Sequence, residues 1–293
     1  MKRRINLVGQ NTLTVSLPSE FVKRQGLKKG QEIEIEEQGN DLLISTEKKI
    51  EVEKKVLNLK GLSGIERQFL DAVYKKGYDE IEIQLENTKQ IEDIKEALKN
   101  ELSTFEIINR DKDNCLIKSI SELDEKEFDN ILKRTFILLE EMFNEIEIAI
   151  EEKNDKKVRE CTELEEINDK LTHLLRRSLN KKGYKDHKNV LILYSIIQNL
   201  EKIADYLRDF CNEFKKNYSI LLLFIKLKEM FVLYHELFYN FDSSLIKKIK
   251  ERKHSIRNME KKFQRENFWL VYALTGCSDR ISELVGLAVS LRV

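Results

Sequence analysis

Two groups of acidic residues at helical spacing are the side chains of this sequence best suited to chemistry. Glu201 and Asp205 lie four residues apart, with Asp209 four residues further on, and Asp279 and Glu283 repeat the spacing. Residues i and i+4 share one face of a helix, where like charges cost about 0.2–0.5 kcal/mol per pair. A cation bound between the carboxylates would turn this cost into a favourable interaction. Hard divalent or ferric ions prefer oxygen ligands of this kind. We therefore predict that all five residues are metal ligands.

Coincidence is the competing explanation for this spacing. In a chain with 35% charged residues, acids four apart are common, as at Glu141 and Glu145. Lys202 and Arg208 would also neutralise acids on the same helix. However, Glu-Lys-Ile-Ala-Asp at 201–205 and Asp-Arg-Ile-Ser-Glu at 279–283 share one pattern. This repetition gives the metal interpretation equal standing with coincidence, and both stay open.

Positive charge is concentrated in the first thirty residues. The whole chain is neutral, with 52 Lys and Arg against 52 Asp and Glu, which excludes a uniformly basic coat. Residues 1–30 nevertheless carry seven positive charges against the single acid Glu20. Such a patch binds duplex DNA through the release of counterions, although a solvated basic face has the same composition. The seven basic residues are Lys2, Arg3, Arg4, Lys23, Arg24, Lys28 and Lys29.

Common signatures of catalysis are missing from the sequence. It has no GxxxxGK[ST] or GxGxxG motif, and its four histidines form no metal-binding motif. Its four cysteines form no CxxC pair, which favours reduced thiols and a cytoplasmic protein. No apolar run approaches the ~18 residues that a membrane span needs, so we expect none. We also expect no enzymatic activity, and we expect Trp269 to lie in a helix core.

Three regions differ in the spacing of their apolar residues and glycines. Residues 1–47 show period-two strands and one helix, which begins at Pro18 and ends at Gly26. So small a β region cannot bury enough surface alone, and we predict an intertwined homodimer. Residues 48–120 alternate strands and helices and are predicted as a small α+β module. Residues 121–293 have a period near 3.6, which indicates long helices.

Six helices fit this last region, and short loops between them predict two three-helix bundles in tandem. The overall fold class is therefore multidomain α+β with an all-α C-terminal domain. The predicted helices cover 124–152, 155–180, 187–215, 218–239, 242–264 and 267–291.

The N-terminal stretch TLTVSLPSEFVKRQGLKKGQEIEI, residues 12–35, resembles the SpoVT/AbrB-type swapped-hairpin DNA-binding domain. The family pattern is a strand, a Leu-Pro helix start, a Gly-Leu-x-x-Gly-Asp turn and an acidic-apolar strand. Gly26, Leu27 and Gly30 match this turn, and Gln31 replaces the usual Asp. The resemblance covers residues 1–47 and implies DNA contacts from the basic residues before the first strand and on the helix, with Lys28 and Lys29 as weaker candidates. Antitoxins share this fold.

The helical region resembles the PhoU family of phosphate-uptake regulators. That family has two three-helix bundles with a Glu/Asp-x-x-x-Asp motif on each third helix. LEKIADY at 200–206 matches this motif closely, and SDRISEL at 278–284 matches it with the acids exchanged. CTELEEINDKL at 161–171 fits the family's second helix. An AbrB-type N-terminus before a PhoU-type region is an arrangement associated with archaea.

Together these resemblances imply a cytoplasmic, dimeric DNA-binding regulator of phosphate transport and homeostasis. Its expected partners are double-stranded DNA, a second copy of the chain and subunits of a phosphate ATP-binding-cassette transporter, and its expected cofactor is a divalent or ferric ion. The alternative is an accessory protein that does not bind DNA and negatively regulates such a transporter by protein contact. A metal-dependent enzyme is the least favoured hypothesis, because no nucleophile or histidine ligand set is evident.

Overall fold

A computed structural model describes residues 2–38, 41–45, 52–263 and 268–293 of the chain. The chain divides into two compact units, Met1–Val52 and Glu53–Val293. The predicted boundary after residue 47 lies outside the described residues, as do the end of the predicted helix 242–264 and the start of the predicted helix 267–291. The second unit contains the predicted helical domain and the predicted α+β module from residue 53 onward.

The first unit consists of two separate antiparallel hairpins with a short helix between them. Strands β1 (Ile5–Val8) and β2 (Thr12–Val15) pair with Ile5 opposite Val15. Helix α1 (Ser19–Gln25) follows Pro18 and ends at Gly26, whose φ of 62° suits glycine. Strands β3 (Glu34–Gln38) and β4 (Asp41–Ser45) form the second hairpin.

Apolar side chains of these hairpins face solvent. Ile5 and Leu13 are each 68% exposed, and Leu42 is 61% exposed. Every residue of β1 and β2 is exposed, and α1 has no buried residue. The described part of this unit therefore has no hydrophobic interior of its own.

The second unit begins with an α+β region built on a four-stranded sheet. Its order is β5-β6-β8-β7, in which β5 and β6 are parallel and the other neighbours are antiparallel. The alternation along β6 buries Ile81 and Ile83, which join a core with Leu70 and Ile94 of the two helices. The elements are β5 (Lys54–Asn58), α2 (Glu66–Lys76), β6 (Glu80–Gln84), α3 (Lys89–Asn100), β7 (Phe105–Arg110) and β8 (Asn114–Ser119).

Seven helices complete the unit and confirm the predicted helical region. Helices α4, α6 and α7 pack as one bundle, α8, α9 and α10 pack as a second, and both share one hydrophobic core. The second predicted helix is divided at Cys161 and Thr162, where the Thr162 hydroxyl donates a hydrogen bond to the Arg159 carbonyl. The helices are α4 (Glu125–Glu151), α5 (Asp155–Glu160), α6 (Glu163–Lys182), α7 (Val190–Glu213), α8 (Leu221–Tyr239), α9 (Ser243–Phe263) and α10 (Phe268–Ser290).

A buried arginine joins the α+β region to the first bundle. Arg177 on α6 donates hydrogen bonds to the carbonyls of Tyr74 at 3.0 Å and Tyr78 at 2.6 Å, and to Asp79 Oδ1 at 2.8 Å. Its guanidinium also lies over the rings of Tyr74 and Phe105. Because Arg177 is only 3% exposed, its buried charge needs partners, and these contacts provide them.

None of the described helices combines the length and the apolar character that crossing a bilayer requires.

Candidate metal centre and nucleic-acid interface

Three carboxylates from two neighbouring helices converge in the first bundle. Glu165 and Asp169 lie one turn apart on α6, and Asp205 lies on the facing helix α7. One oxygen atom from each lies within 4.8 Å of the others. The i and i+4 spacing of the two α6 residues turns both toward α7. We call this set the carboxylate cluster.

The electrostatics of the carboxylate cluster are unfavourable without a cation. Burial, with the neighbouring Asp169, raises the pKa of Glu165 to about 7, although Arg208 opposes the shift. Burial, with Asp205 nearby, raises the pKa of Asp169 to about 6. Oδ1 of Asp169 is buried and makes no hydrogen bond. Both shifts mean that the negative charges here are poorly compensated.

Only two cations pair with the carboxylate cluster among the described residues. Arg208 contacts Glu165 and lies 2.9 Å from Asp205, but it also binds Asp209 at 3.0 Å. Lys202 lies 2.6 Å from Asp205 Oδ2. These side chains leave the buried oxygen of Asp169 unpaired. A small divalent ion with oxygen ligands fits such a set of donors.

The predicted ligands on α7 point to different places. Asp205 joins the carboxylate cluster, whereas Asp209 is exposed and bound to Arg208. Glu201 is 8% exposed and pairs with Arg176 of α6, outside the cluster. The sequence analysis quoted the stretch that contains Glu165 and Asp169 for its family resemblance but did not predict either residue as a ligand. Their four-residue spacing is the same signal that led to Glu201 and Asp205.

The predicted ligands on α10 are held by basic side chains. Asp279 lies 2.8 Å from Lys253 and 3.5 Å from Arg257, and Glu283 lies 2.7 Å from Arg280. Within the described ranges, no third carboxylate or imidazole gathers with them at ligand distance. Their role as ligands remains a prediction.

Trp269 does not lie in the core as expected. It is 63% exposed on α10, and Phe268 and Tyr272 beside it are 60% and 54% exposed. Their rings contact one another, with centroids 5.3 Å apart for Phe268 and Trp269. The expectation for Trp269 was therefore wrong, because α10 is apolar on more than its inward face.

All seven predicted DNA-contacting side chains are exposed in the first unit. Three precede β1, two lie in the last turn of α1, and two lie in the turn that follows. In that turn Gln31 takes the place of the family's Asp, and its Oε1 accepts a hydrogen bond from the Lys28 amide at 3.2 Å. No acid of the described residues forms an ion pair with any of the seven, which are Lys2, Arg3, Arg4, Lys23, Arg24, Lys28 and Lys29.

Comparison with known proteins identifies two domains at these places. Residues 132–214 match the family model for the PhoU domain. Residues 8–52 match the family model described as antidote-toxin recognition MazE, bacterial antitoxin. The chain therefore combines an AbrB/MazE-type N-terminal domain with a PhoU domain, as the sequence analysis predicted. No curated protein and no solved structure matches the chain.

The PhoU match covers the residues of the candidate metal centre. It runs from within α4 to the end of α7, so it includes all three members of the carboxylate cluster. The antitoxin match begins at Val8, the last residue of β1, and includes β2, α1, β3 and β4. Both matched domains are of regulatory families.

Proposed function

We propose that this protein is a DNA-binding transcriptional regulator of phosphate transport and homeostasis. The observation that carries the proposal is the presence of both an AbrB/MazE-type domain and a PhoU domain in one chain. The unit that contains the AbrB/MazE-type domain has seven basic side chains without an acidic partner among the described residues. Basic side chains free of acidic partners are available to displace the counterions of DNA. The PhoU domain supports phosphate status as the signal. Catalysis is not needed for this role.

Two further features of the regulator are part of the proposal. The first unit assembles as a homodimer, because its hairpins expose apolar side chains that a second copy would cover. The carboxylate cluster holds a divalent or ferric cation, because two of its carboxyls have raised pKa values and one oxygen has no partner. The four cysteines are free thiols, which is consistent with a function in the reducing cytoplasm.

DNA binding is tested by fluorescence anisotropy on the full chain at several salt concentrations. The probe is the duplex upstream of the protein's own gene, with a scrambled duplex as control. The Arg3→Ala/Arg4→Ala variant should bind more weakly. The slope of the logarithm of the binding constant against the logarithm of the salt concentration should decrease by the equivalent of about 2 phosphate contacts per protomer. Lys89→Ala/Lys99→Ala removes the same charge from exposed positions of the second unit and should change nothing. Equal binding by all three proteins would refute the proposed interface.

A second candidate function is supported by the exposed aromatic side chains of α10. Phe268, Trp269 and Tyr272 form a contiguous apolar surface of the kind used in protein contacts. In this alternative the protein does not bind DNA and negatively regulates a phosphate ATP-binding-cassette transporter by direct contact. Co-purification of the transporter subunits with the wild-type chain but not with Trp269→Ala, together with no affinity for DNA, would favour it.

A further inference from the structure

A second group of ligand atoms meets where the α+β region packs on α6. Asp71 belongs to α2, Glu101 directly follows α3, and His173 belongs to α6. One ligand atom of each lies within 4.8 Å of the others. None of the three belongs to the carboxylate cluster. Unlike that cluster, this group contains an imidazole.

Two of these ligand atoms are buried without hydrogen bonds. Nδ1 of His173 and Oδ1 of Asp71 lie 3.3 Å apart, and neither makes a hydrogen bond. His173 is only 5% exposed, so bulk solvent does not reach this atom. Leaving a buried polar atom without a partner is unfavourable. The arrangement is therefore unfavourable unless something lies between the two atoms.

Three basic side chains lie near this space, and each is already paired with a carboxylate. Lys75 holds the other oxygen of Asp71 at 2.7 Å, which leaves Oδ1 directed at His173. Arg67 pairs with Glu101, but its side chain is 61% exposed and is free to turn into water. Arg176 is paired with Glu201. Burial, reinforced by Lys75, lowers the pKa of His173 to about 3, so its imidazole is neutral and has a lone pair to donate.

We propose that Asp71, Glu101 and His173 form a binding site for a divalent cation of the zinc type. One imidazole with two carboxylates suits Zn²⁺ and its transition-metal neighbours better than Mg²⁺ or Ca²⁺, which favour oxygen ligands alone. Three protein ligands leave at least one coordination position for water. The bound ion joins α2 and the end of α3 to α6. This site does not depend on the proposed function.

Glu201 has a defined part in this site as a positioning residue. Nε2 of His173, on the opposite side of the ring from Nδ1, lies 3.8 Å from Glu201 Oε1. At 3.8 Å this pair is too long for a hydrogen bond. A carboxylate that accepts the free N–H of a ligating histidine orients the ring and raises its basicity. We expect Glu201, which the sequence analysis predicted as a direct ligand, to accept this hydrogen bond when the ion is bound.

The test measures Co²⁺ and Zn²⁺ binding by full-length protein stripped of metal. The background variant is Asp169→Asn/Asp205→Asn, so that the carboxylate cluster does not contribute. In this background we expect one Co²⁺ bound per chain, with visible absorption that Zn²⁺ abolishes and Mg²⁺ does not. Losing a partner behind a ligand costs about 10–100-fold in metal affinity, so His173→Gln should cost at least about 100-fold.

Three further variants keep the test independent of folding defects. Asp71→Asn changes a side chain that is 25% exposed, and it should weaken Co²⁺ binding while the circular dichroism spectrum is unchanged. Glu201→Gln should weaken binding by about 10–100-fold and shift the Co²⁺ absorption, which a merely structural change elsewhere would not do. His254→Gln, at an exposed histidine of α9, should have no effect. No bound ion in the background variant, or one unaffected by both His173→Gln and Asp71→Asn, would overturn the proposal.

Discussion

Replacing Glu165 with glutamine should stabilise the metal-free protein at high pH. The pKa of Glu165 rises from its ordinary 4.5 to about 7 in the folded chain, because burial and Asp169 disfavour its charge more than Arg208 favours it. The folded state therefore holds this proton more tightly than the unfolded state does. The free energy of unfolding must fall as the pH rises from about 4.5 through 7.

The size of the effect follows from the same values. A pKa moved from 4.5 to about 7 corresponds to about 3 kcal/mol of lost stability once the pH is well above 7. At pH 5 most of this loss has not yet occurred. Glu165→Gln, which keeps a carbonyl oxygen for Arg208 but cannot ionise, should thus gain about 2–3 kcal/mol over the wild type between pH 5 and pH 8.

The assay is urea unfolding followed by helical circular dichroism at both pH values with a chelator present. Glu166→Gln is the matched control, because Glu166 is the next residue on α6 and is exposed. If Glu165→Gln is less stable than the wild type at pH 8, Glu165 is ionised and stabilised by Arg208, and our reasoning about the cluster is wrong. Adding Mn²⁺ at pH 8 should stabilise the wild type and leave the variant almost unchanged.

Three other substitutions have expected effects on stability. Arg177→Met should destabilise the second unit by about 3 kcal/mol, because the Tyr74 and Tyr78 carbonyls lose their donor and Asp79 keeps Lys181 as its cation. Urea unfolding measures this loss. If the variant and the wild type are equally stable, Arg177 does not stabilise the contact between the α+β region and the first bundle. Gly276→Ala should lower the melting temperature, since a Cβ there would lie 2.5 Å from the Tyr206 ring. Adding Tyr206→Leu to this variant should restore part of the lost melting temperature. If it does not, the clash with the Tyr206 ring is not the cause of the loss. Tyr234→Phe should raise the free energy of unfolding by about 1 kcal/mol, because the buried Tyr234 hydroxyl has no hydrogen-bond partner. A lower value in urea unfolding would mean that the hydroxyl is satisfied.

The sequence was sufficient to predict the alternation of strands and helices in the second unit and all but one of its long helices. Period-3.6 and period-2 spacing depend only on which side of one element faces the core. The division between α5 and α6 was missed because Cys161 and Thr162 are neither glycine nor proline, and a hydroxyl hydrogen bond is not visible in the spacing.

The candidate metal centre was only partly predictable. Spacing along one helix placed Glu201 and Asp205 on a common face, but it carries no information about which helix faces each residue. In the structure Asp205 meets Asp169 of α6, whereas Glu201 meets Arg176 and His173. Such pairings between helices depend on packing. Acidic pairs are also too common in this chain for Glu165 and Asp169 to be distinguished by sequence alone.

Helix α6 connects the carboxylate cluster to the α+β region of the second unit. It carries Asp169 of the carboxylate cluster, then His173, then the anchors Arg177 and Lys181, which bind Asp79 beside the sheet. From Asp169 to Lys181 the helix advances about 18 Å, and an α-helix barely compresses along its axis. A displacement of Asp169 along this axis would therefore be transmitted to Arg177 and Lys181, and through them to Asp79 beside the sheet.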